Sequence, residues 1–284
     1  MLGIAVFSIS FLVVIGLSLF FKALPIMKEK NIWELLSSGS WRPFKGEFGF
    51  LPFIMSTLYV SMIAIVIALP LSLLTSIFLS SYASKSIRKI FEPVIDLLSG
   101  IPPVIYGVWG TLTIVPFIAD KLAPRFIEYS SGYTVLTGGI VLSVMITPLL
   151  ISILVEVFRT IPKEMTDASM SLGATKWQTV KKVILRRSFP GIIAAIVLSV
   201  SRAFGETIAI LMVCGNITQI PHSLFDASYP LPALIANNYG EMLSMPSYES
   251  ALMFAAFLLF TIIVLFNAVS RITLNQIEKR YHFN

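Results

Sequence analysis

The polar stretch at residues 161–175 reads Ile161-Pro162-Lys163-Glu164-Met165-Thr166-Asp167-Ala168-Ser169-Met170-Ser171-Leu172-Gly173-Ala174-Thr175 and lies between two long apolar runs. Pro162 suits the first turn of a helix, where its missing N–H donor costs nothing. Gly173 stands where helices commonly end in a left-handed residue. Thr175 and Gln178 have the spacing of a capping box, which starts a second helix. The stretch therefore predicts a helix–Gly–helix unit. This unit, which begins at Ile161 and includes the second helix that Thr175 starts, is called the polar unit below.

The composition of the whole chain is that of a membrane protein. Of its 284 residues, 56% are apolar and 13% are charged, and the mean hydropathy is +0.85. Soluble domains have roughly 25% charged residues and about 45–50% apolar ones. The single cysteine, Cys214, excludes an intramolecular disulfide and a cysteine-based zinc cluster, and the two histidines stand far apart in sequence. We therefore expect an all-α polytopic membrane protein without a metal site or a cofactor.

Six apolar stretches are long enough to cross a hydrocarbon core, which takes about 20 residues of helix. They lie near residues 2–24, 54–81, 93–118, 135–158, 190–213 and 250–270. The first has no basic residue before its apolar run and no small-x-small cleavage pattern, so we expect an uncleaved span rather than a signal peptide. The spans form one predicted transmembrane domain, residues 1–284, with a core at about 54–271.

The Lys and Arg residues predict the orientation. Thirteen fall in one alternating set of connecting segments and six in the other. The richer set is 82–92, 156–189 and 271–284. The poorer set is 25–50, 119–134 and 214–249. Since cytoplasmic loops carry the excess of basic residues, both termini and the polar unit are expected in the cytoplasm. The net charge of +6 therefore reflects topology, and no basic patch interleaved with aromatic residues indicates nucleic-acid binding.

Paired prolines predict irregular backbone in the third span. Ser99-Gly100-Ile101-Pro102-Pro103 combines a glycine with two prolines, and this combination interrupts a helix. Non-helical backbone at membrane depth must be buried in protein or line a cavity. Nearby Asp96 fits either a helix-end charge or a gate. The 214–249 loop is expected to pack over the outer mouth of a path, and its asparagines are expected to cap backbone groups rather than bind an anion: Asn216, Asn237 and Asn238.

The polar unit has an apolar face in each of its predicted helices. The first helix has residues at i, i+3, i+4 and i+7 on a mildly apolar face: Met165, Ala168, Ser169 and Leu172. The second has three residues on one side: Trp177, Val180 and Ile184. Geometry alone leaves two interpretations open. The unit could anchor the loop to lipid headgroups, or its small residues could insert into a groove on another protein.

The polar unit also resembles a known motif. Asp167-Ala168-Ser169 with Gly173-Ala174, followed by Arg187-Ser188-Phe189-Pro190-Gly191, is similar to the EAA loop of ABC-importer permeases. The resemblance implies a type I permease fold, with a coupling helix in a loop at about 159–190 that docks on an ATP-binding subunit. It implies six coupling residues: Asp167, Ala168, Ser169, Leu172, Gly173 and Ala174. Asp167 replaces the family's Glu and Ser169 its second Ala, and both changes are conservative.

The fifth predicted span contains a charged motif, Ser201-Arg202-Ala203-Phe204-Gly205-Glu206-Thr207. An arginine at the centre of a membrane helix costs about 2.5–3.5 kcal/mol on insertion scales, so Arg202 should face the bundle interior. Arg202 and Glu206 are one turn apart and could pair on the same face. Either the pair locks helix packing, or it lines a path in which the guanidinium binds a tetrahedral oxyanion. In the second case, Glu206 keeps the anion from being held too tightly.

The wider sequence resembles the PstC-type permeases of phosphate ABC importers. The similarity runs from about residue 45 to 271 and is carried by residues 48–53 (Phe-Gly-Phe-Leu-Pro-Phe), 100–107 (Gly-Ile-Pro-Pro-Val-Ile-Tyr-Gly), 202–207, 215–216, 223–225 and 235–237. It implies a substrate path with Arg202, Glu206 and Thr207. It also implies an inner-membrane heterodimer with a homologous second permease, two copies of an ATPase and an extracytoplasmic phosphate-binding protein. Pro103 departs from the Ser that related chains often have.

No nucleotide-binding loop of the form Gly-x-x-x-x-Gly-Lys-Ser/Thr occurs in the sequence, so the chain is not expected to be an enzyme itself. The preferred function is the permease subunit of a phosphate importer. A related permease for sulfate, molybdate or a phosphonate stays open, because arginine binds any of these anions. A membrane enzyme or a secondary transporter would need a catalytic constellation or inverted repeats, and the sequence offers neither.

Overall fold

The computed structural model describes residues 2–240 and 246–282, and its fold is all-α, as predicted. The first seven helices are α1 (Leu2–Glu29), α2 (Ile32–Ser37), α3 (Leu51–Ile77), α4 (Lys85–Ser99), α5 (Pro103–Trp109), α6 (Val115–Phe117) and α7 (Val135–Arg159). The others are α8 (Lys163–Ser171), α9 (Lys176–Thr179), α10 (Leu185–Arg187), α11 (Phe189–Gly205), α12 (Ile208–Val213), α13 (Leu231–Asn238) and α14 (Pro246–His282). A short antiparallel hairpin pairs β1 (Trp41–Arg42) with β2 (Glu47–Phe48).

Short π-helical and 3-10 turns join or extend several of these helices. The π turns are Phe78–Tyr82, Gly110–Ile114, Ile118–Leu122 and Val180–Ile184. The 3-10 turns are Pro43–Lys45 and Ala123–Arg125. The π turns keep the backbone hydrogen-bonded while they shift the helical register. They therefore let α5 and α6 continue as one membrane-length segment.

Five of the six predicted spans have a counterpart in the structure. Within the described residues, five helical segments are each long and apolar enough to cross a membrane: Ser10–Glu29, Leu51–Tyr82, Pro103–Arg125, Val135–Arg159 and Pro246–Leu274. A sixth forms if Lys176–Arg187 and Phe189–Gly205 are counted as one span bent by 67°. Pro190 lies in the first turn of α11, directly after this bend.

The predicted start of the third span at residue 93 is wrong. Residues 93–99 belong to α4, a separate helix that ends at Ser99, and the span begins at Pro103. The predicted break between Ser99 and Pro103 explains the shift, because Pro102 has extended ψ (138°) and cannot continue the helix. The polar residues of α4 recur at helical spacing, as in an amphipathic helix rather than a span: Lys85, Arg88, Glu92 and Asp96.

The centre of the bundle is the contact between α3 and α7. A Cβ placed on Gly139 of α7 would lie 2.7 Å from the Cβ of Ile63, so only a glycine allows this approach. The Ser72 hydroxyl donates to the Thr147 carbonyl across the same interface at 3.3 Å. Small residues and interhelical hydrogen bonds are the usual basis of helix packing in membranes, where lipid supplies no hydrophobic driving force.

A second core joins the hairpin, α13 and α14. The Trp41 ring lies 5.3 Å from that of Phe50 and 5.0 Å from that of Phe53, measured between ring centroids. Leu231 and Leu234 of α13 are fully buried in the same cluster. The 214–249 segment, predicted to lie over the outer mouth of the path, therefore contributes a buried helix to the core.

Candidate functional site

The fifth predicted span is interrupted at its charged motif. Helix α11 ends at Gly205, Glu206 has extended backbone (φ −70°, ψ 127°), and α12 begins at Ile208. The Thr207 hydroxyl donates to the Gly205 carbonyl at 3.2 Å, which gives this free helix-end carbonyl a partner. Arg202 therefore lies in the last turn of α11 rather than at the centre of a continuous helix.

Glu206 turns its carboxylate toward the start of α12. The residue is 8% exposed, and its Oε1 accepts a hydrogen bond from the Ala209 N–H at 3.3 Å. The unpaired N–H groups at a helix N-terminus stabilise a negative charge in this place. The pairing of Arg202 with Glu206 that the sequence allowed is not formed among the described residues. No salt bridge in residues 2–240 and 246–282 includes either side chain, because α11 ends between them and removes the one-turn spacing.

Arg202 is partly buried and has no hydrogen-bonded partner among the described residues. Ala203, the next residue along α11, is buried in the same cluster as Tyr106 of α5. The Tyr106 hydroxyl donates to the Leu98 carbonyl at 2.8 Å and so spans the break between α4 and α5. Arg202 therefore lies near a second region of non-helical backbone, besides the break that follows it in its own span.

The segments that follow the two breaks pack closely together. A Cβ on Gly107 of α5 would lie 3.2 Å from the Cα of Ala209 in α12, so the two backbones nearly touch. Non-helical backbone in a membrane protein is tolerated only where it is buried or lines a polar cavity. Two helix breaks and a cation that no described carboxylate neutralises thus lie in one region of the bundle. This arrangement can offer donors to an anion inside the protein.

The predicted polar unit is confirmed in its local structure. Helix α8 spans Lys163–Ser171, and Gly173 follows in the left-handed region with φ +85°. The Thr175 hydroxyl accepts from the Gln178 N–H at 3.3 Å, and the Gln178 side chain accepts from the Thr175 N–H at 2.8 Å. These two bonds are the predicted capping box, and they begin α9.

The chain leaves the outer face of the polar unit uncovered. Leu172 is 89% exposed, Asp167 and Ala168 are exposed, and α8 buries no residue. Ser169 is held inward, since its hydroxyl is hydrogen-bonded to that of Thr179 at 3.0 Å. An exposed apolar residue at the tip of a short helix suits contact with another surface.

One prediction for the second helix is wrong. Trp177 was expected on the same side as Val180 and Ile184, but its side chain is 53% exposed. Val180 is buried beside Leu154 and Phe158 at the end of α7. Trp177 lies in the first turn of α9, before the π turn that carries Val180 and Ile184 into this contact. The apolar surface of the polar unit is therefore larger than the sequence indicated.

The asparagines of the 214–249 segment have structural partners: Asn216 and Asn238 bind backbone carbonyls, as predicted, whereas Asn237 binds a side chain. The Asn216 amide donates to the Leu211 carbonyl at 2.8 Å. The amides of Asn237 and Asn238 both donate to the Tyr229 hydroxyl, at 2.9 and 3.0 Å. Burial raises the pKa of that hydroxyl, which keeps it neutral while it accepts both bonds.

Asp96 belongs to a polar contact that sequence reasoning missed. Its carboxylate accepts from the Ser152 hydroxyl at 3.1 Å. One turn earlier on α4, Glu92 pairs with Arg159, which also donates to Glu156 at 2.8 Å. These bonds fix α4 against the end of α7. The helical spacing of Glu92 and Asp96 was the available signal, but the long apolar run after them concealed it.

Comparison with known proteins extends these observations. Residues 68–282 match the binding-protein-dependent transport system inner membrane components. The probable ABC transporter permease protein YqgH of Bacillus subtilis is 40% identical over 210 residues, which cover 73% of this chain and 66% of that protein. The probable phosphate transport system permease protein PstC of Methanocaldococcus jannaschii is 33% identical over 282 residues, which cover 94% of this chain and 89% of that protein.

A solved structure shares the fold. An inward-facing form of the MetNI methionine ABC transporter matches with a TM-score of 0.56 and 17% identity, over 87% of this chain and 97% of that chain. The architecture is therefore the type I fold of ABC-importer permeases. Because the family match extends over most of the sequence and the solved relative has the same fold, this chain belongs to the family of binding-protein-dependent transport system inner membrane components, the membrane-embedded permeases of ABC transporters.

Proposed function

We propose that this chain is the permease subunit of an ATP-driven importer of inorganic phosphate. The observation that carries the proposal is the partly buried Arg202, which has no counter-ion among the described residues and lies beside two helix breaks. The names of relatives support phosphate in particular, since PstC of Methanocaldococcus jannaschii and of Pasteurella multocida are phosphate transport permeases.

The proposed path uses Arg202, Glu206 and Thr207. The planar guanidinium donates two parallel hydrogen bonds to a tetrahedral oxyanion. The Glu206 carboxylate is held at the start of α12 and repels the same anion, so the ion is bound weakly enough to leave. The partly buried Thr207 hydroxyl lies beside the break and would donate to the anion in place of the Gly205 carbonyl. Sulfate, molybdate or a phosphonate would meet the same donors and is the alternative cargo.

The polar unit is the proposed link to ATP hydrolysis. Its exposed residues Asp167, Ala168, Leu172 and Gly173, with the half-buried Ala174, would dock into a groove of an ATPase subunit, and Ser169 would brace α8 on α9. The whole chain would act as one permease domain. It would pair with a homologous second permease, two copies of the ATPase and an extracytoplasmic phosphate-binding protein.

The proposed location is the cytoplasmic membrane, with both termini inside. The excess of Lys and Arg in the segments that include the polar unit supports this orientation. A Lys176→Cys variant tests it, because Lys176 is exposed while the natural Cys214 is buried. A membrane-impermeant maleimide should label the variant only from the cytoplasmic side. Labelling from outside would reverse the topology.

The substrate is tested by uptake into vesicles that contain the co-expressed complex. We expect ATP-dependent accumulation of labelled phosphate, and less than about a tenth of that rate for sulfate at equal concentration, because each tenfold preference needs only about 1.4 kcal/mol. Molybdate and a phosphonate serve as further competitors. Equal or faster sulfate uptake would assign the chain to the alternative cargo.

A further inference from the structure

A cavity of about 250 Å³ lies between the polar unit, the end of α7 and the turn that follows α3. A single water needs only about 10–15 Å³ of such space, so the cavity is large enough for a hydrated ion. Four basic side chains line it: Arg88, Arg159, Lys163 and Lys176. No carboxylate is among the described residues of its lining. Neither Arg202 nor the two helix breaks take part in it.

Arg88 is incompletely hydrogen-bonded in this lining. Its Nη2 donates to the Ser80 carbonyl at 2.6 Å. Its Nε is buried away from solvent and has no hydrogen-bond partner among the described residues. Buried donors of charged groups nearly always have an acceptor in native proteins. An anion in the cavity would supply an acceptor to this guanidinium.

Three of the four charges have no carboxylate partner in the part of the chain that the structure describes. Arg159 is neutralised by Glu92 and Glu156. The salt bridges of the described residues do not include Arg88, Lys163 or Lys176. The Lys176 ammonium lies 5.0 Å from the centroid of the Tyr82 ring, a contact that leaves its charge in place. The cavity therefore has an excess of positive charge.

We infer that this cavity binds a phosphate group. A guanidinium fork with two lysine point charges, and no carboxylate opposite them, suits a tetrahedral anion that carries one or two charges. Arg88 lies on the amphipathic α4, whose Ile90, Phe91 and Leu97 are exposed apolar residues, so the cavity is near the expected membrane surface. Both the headgroup of an anionic phospholipid and free phosphate can reach such a position.

The occupant would connect separate elements of the fold. Arg88 belongs to α4, whereas Lys163 and Lys176 begin the two helices of the polar unit. A shared anion would fix the polar unit against α4 and α7. Its cytoplasmic access rests on the orientation proposed above, but the cavity does not depend on which ion the permease transports.

The test measures binding to the assembled complex in the Arg202→Gln background, which removes the donor proposed for the transport path. In one arm, calorimetry follows inorganic phosphate added to complexes in phosphatidylcholine nanodiscs. In the other, native mass spectrometry counts phosphatidylglycerol retained from mixed nanodiscs without phosphate. The double variant Lys163→Gln/Lys176→Gln should weaken binding of phosphate in the first arm or of phosphatidylglycerol in the second by about tenfold or more, because hydrogen bonds to charged groups are stronger than those between neutral groups. Arg88→Lys keeps the positive charge but loses the planar guanidinium donors, so it should weaken binding less than the double variant does.

Matched controls are Lys89→Gln and Lys182→Gln, because both lysines are exposed, close in sequence to the cavity residues and outside its lining. Loss in the phosphate arm identifies the free ion, and loss in the lipid arm identifies a headgroup. Unchanged binding of both probes by the double variant overturns the inference. An equal loss in the two controls also overturns it, since it would indicate general surface charge. Failure of phosphate transport itself would leave these measurements intact.

Discussion

The fifth span and the polar unit both contain a helix, a break and a second helix, but they use the break in opposite ways. In the span, the break at 206–207 contains the buried Glu206, which accepts from the backbone of the following helix. In the polar unit, the break is at Gly173, and the solvent-exposed Thr175 caps the next helix. The same capping chemistry thus positions a charge inside the bundle and an apolar tip outside it.

The two breaks divide the work of the proposed transporter: the span selects the ion, and the polar unit couples transport to ATP hydrolysis. A break inside the membrane must have its backbone groups satisfied by the protein, so it is retained where a polar interior is needed. A break in water has no such constraint, because water can bond its backbone groups, and it determines only the direction in which the next helix runs. We therefore expect changes in the span to affect the transported ion, and changes in the polar unit to affect the response to ATP.

The largest expected effect comes from Arg202→Gln. Uptake of phosphate should fall at least about a hundredfold, because two hydrogen bonds from a charged donor at ~1.5–3 kcal/mol each are lost. Assembly of the complex should persist, since no described residue pairs with this side chain. The measurements are vesicle uptake and co-purification of the subunits. Arg271→Gln, at an exposed position of α14, is the matched control. Uptake at the original rate would mean that Arg202 supports helix packing and does not bind the transported ion.

Gly173→Val should uncouple ATP hydrolysis from transport. A left-handed conformation at φ +85° costs a side-chain-bearing residue about 1–2 kcal/mol, although no atom lies within 4 Å of the added Cβ. The strain should redirect α8 away from its docking position, so the ATPase would no longer co-purify while the chain still inserts.

Gly46→Val is the control for this strain. Gly46 has φ +71° and equally open surroundings, but it lies in the hairpin loop. The Gly46→Val variant should therefore still co-purify with the ATPase. Full association and full uptake in the Gly173 variant would exclude the docking role.

The two regions also differ in how far the sequence predicts them. The polar unit was predictable because its signals are local: Pro162, Gly173 and the Thr175–Gln178 capping box act within a few residues. The Arg202–Glu206 pairing was not, since it assumed a continuous helix through Gly205. What Glu206 binds depends on how α12 begins. The start of the third span was missed for a similar reason, because an amphipathic helix precedes the apolar run.

Variants of Glu206 separate charge from capping. Gln keeps an oxygen that accepts from the Ala209 N–H, whereas Ala removes it. Glu206→Gln should leave thermal stability unchanged and slow uptake by roughly tenfold, because the anion is released more slowly without the opposing charge. Glu206→Ala should in addition lower stability by ~1 kcal/mol, as loss of a cap does. Wild-type uptake by the Gln variant would leave Glu206 with a structural role alone.

The smallest expected effect is that of Thr175→Ala, and it tests whether the polar unit holds its own shape. Removing an N-cap costs about 0.5–2 kcal/mol, so amide hydrogen exchange in α9 should accelerate by roughly two- to thirtyfold in the isolated permease. Ser84→Ala removes the equivalent cap of α4, where the serine accepts from the Ile87 N–H at 3.4 Å, and should leave α9 unchanged. Docking of the ATPase should shrink the difference, because a bound partner stabilises the folded unit by mass action. A difference that persists undiminished in the complex would mean that the ATPase does not contact this unit.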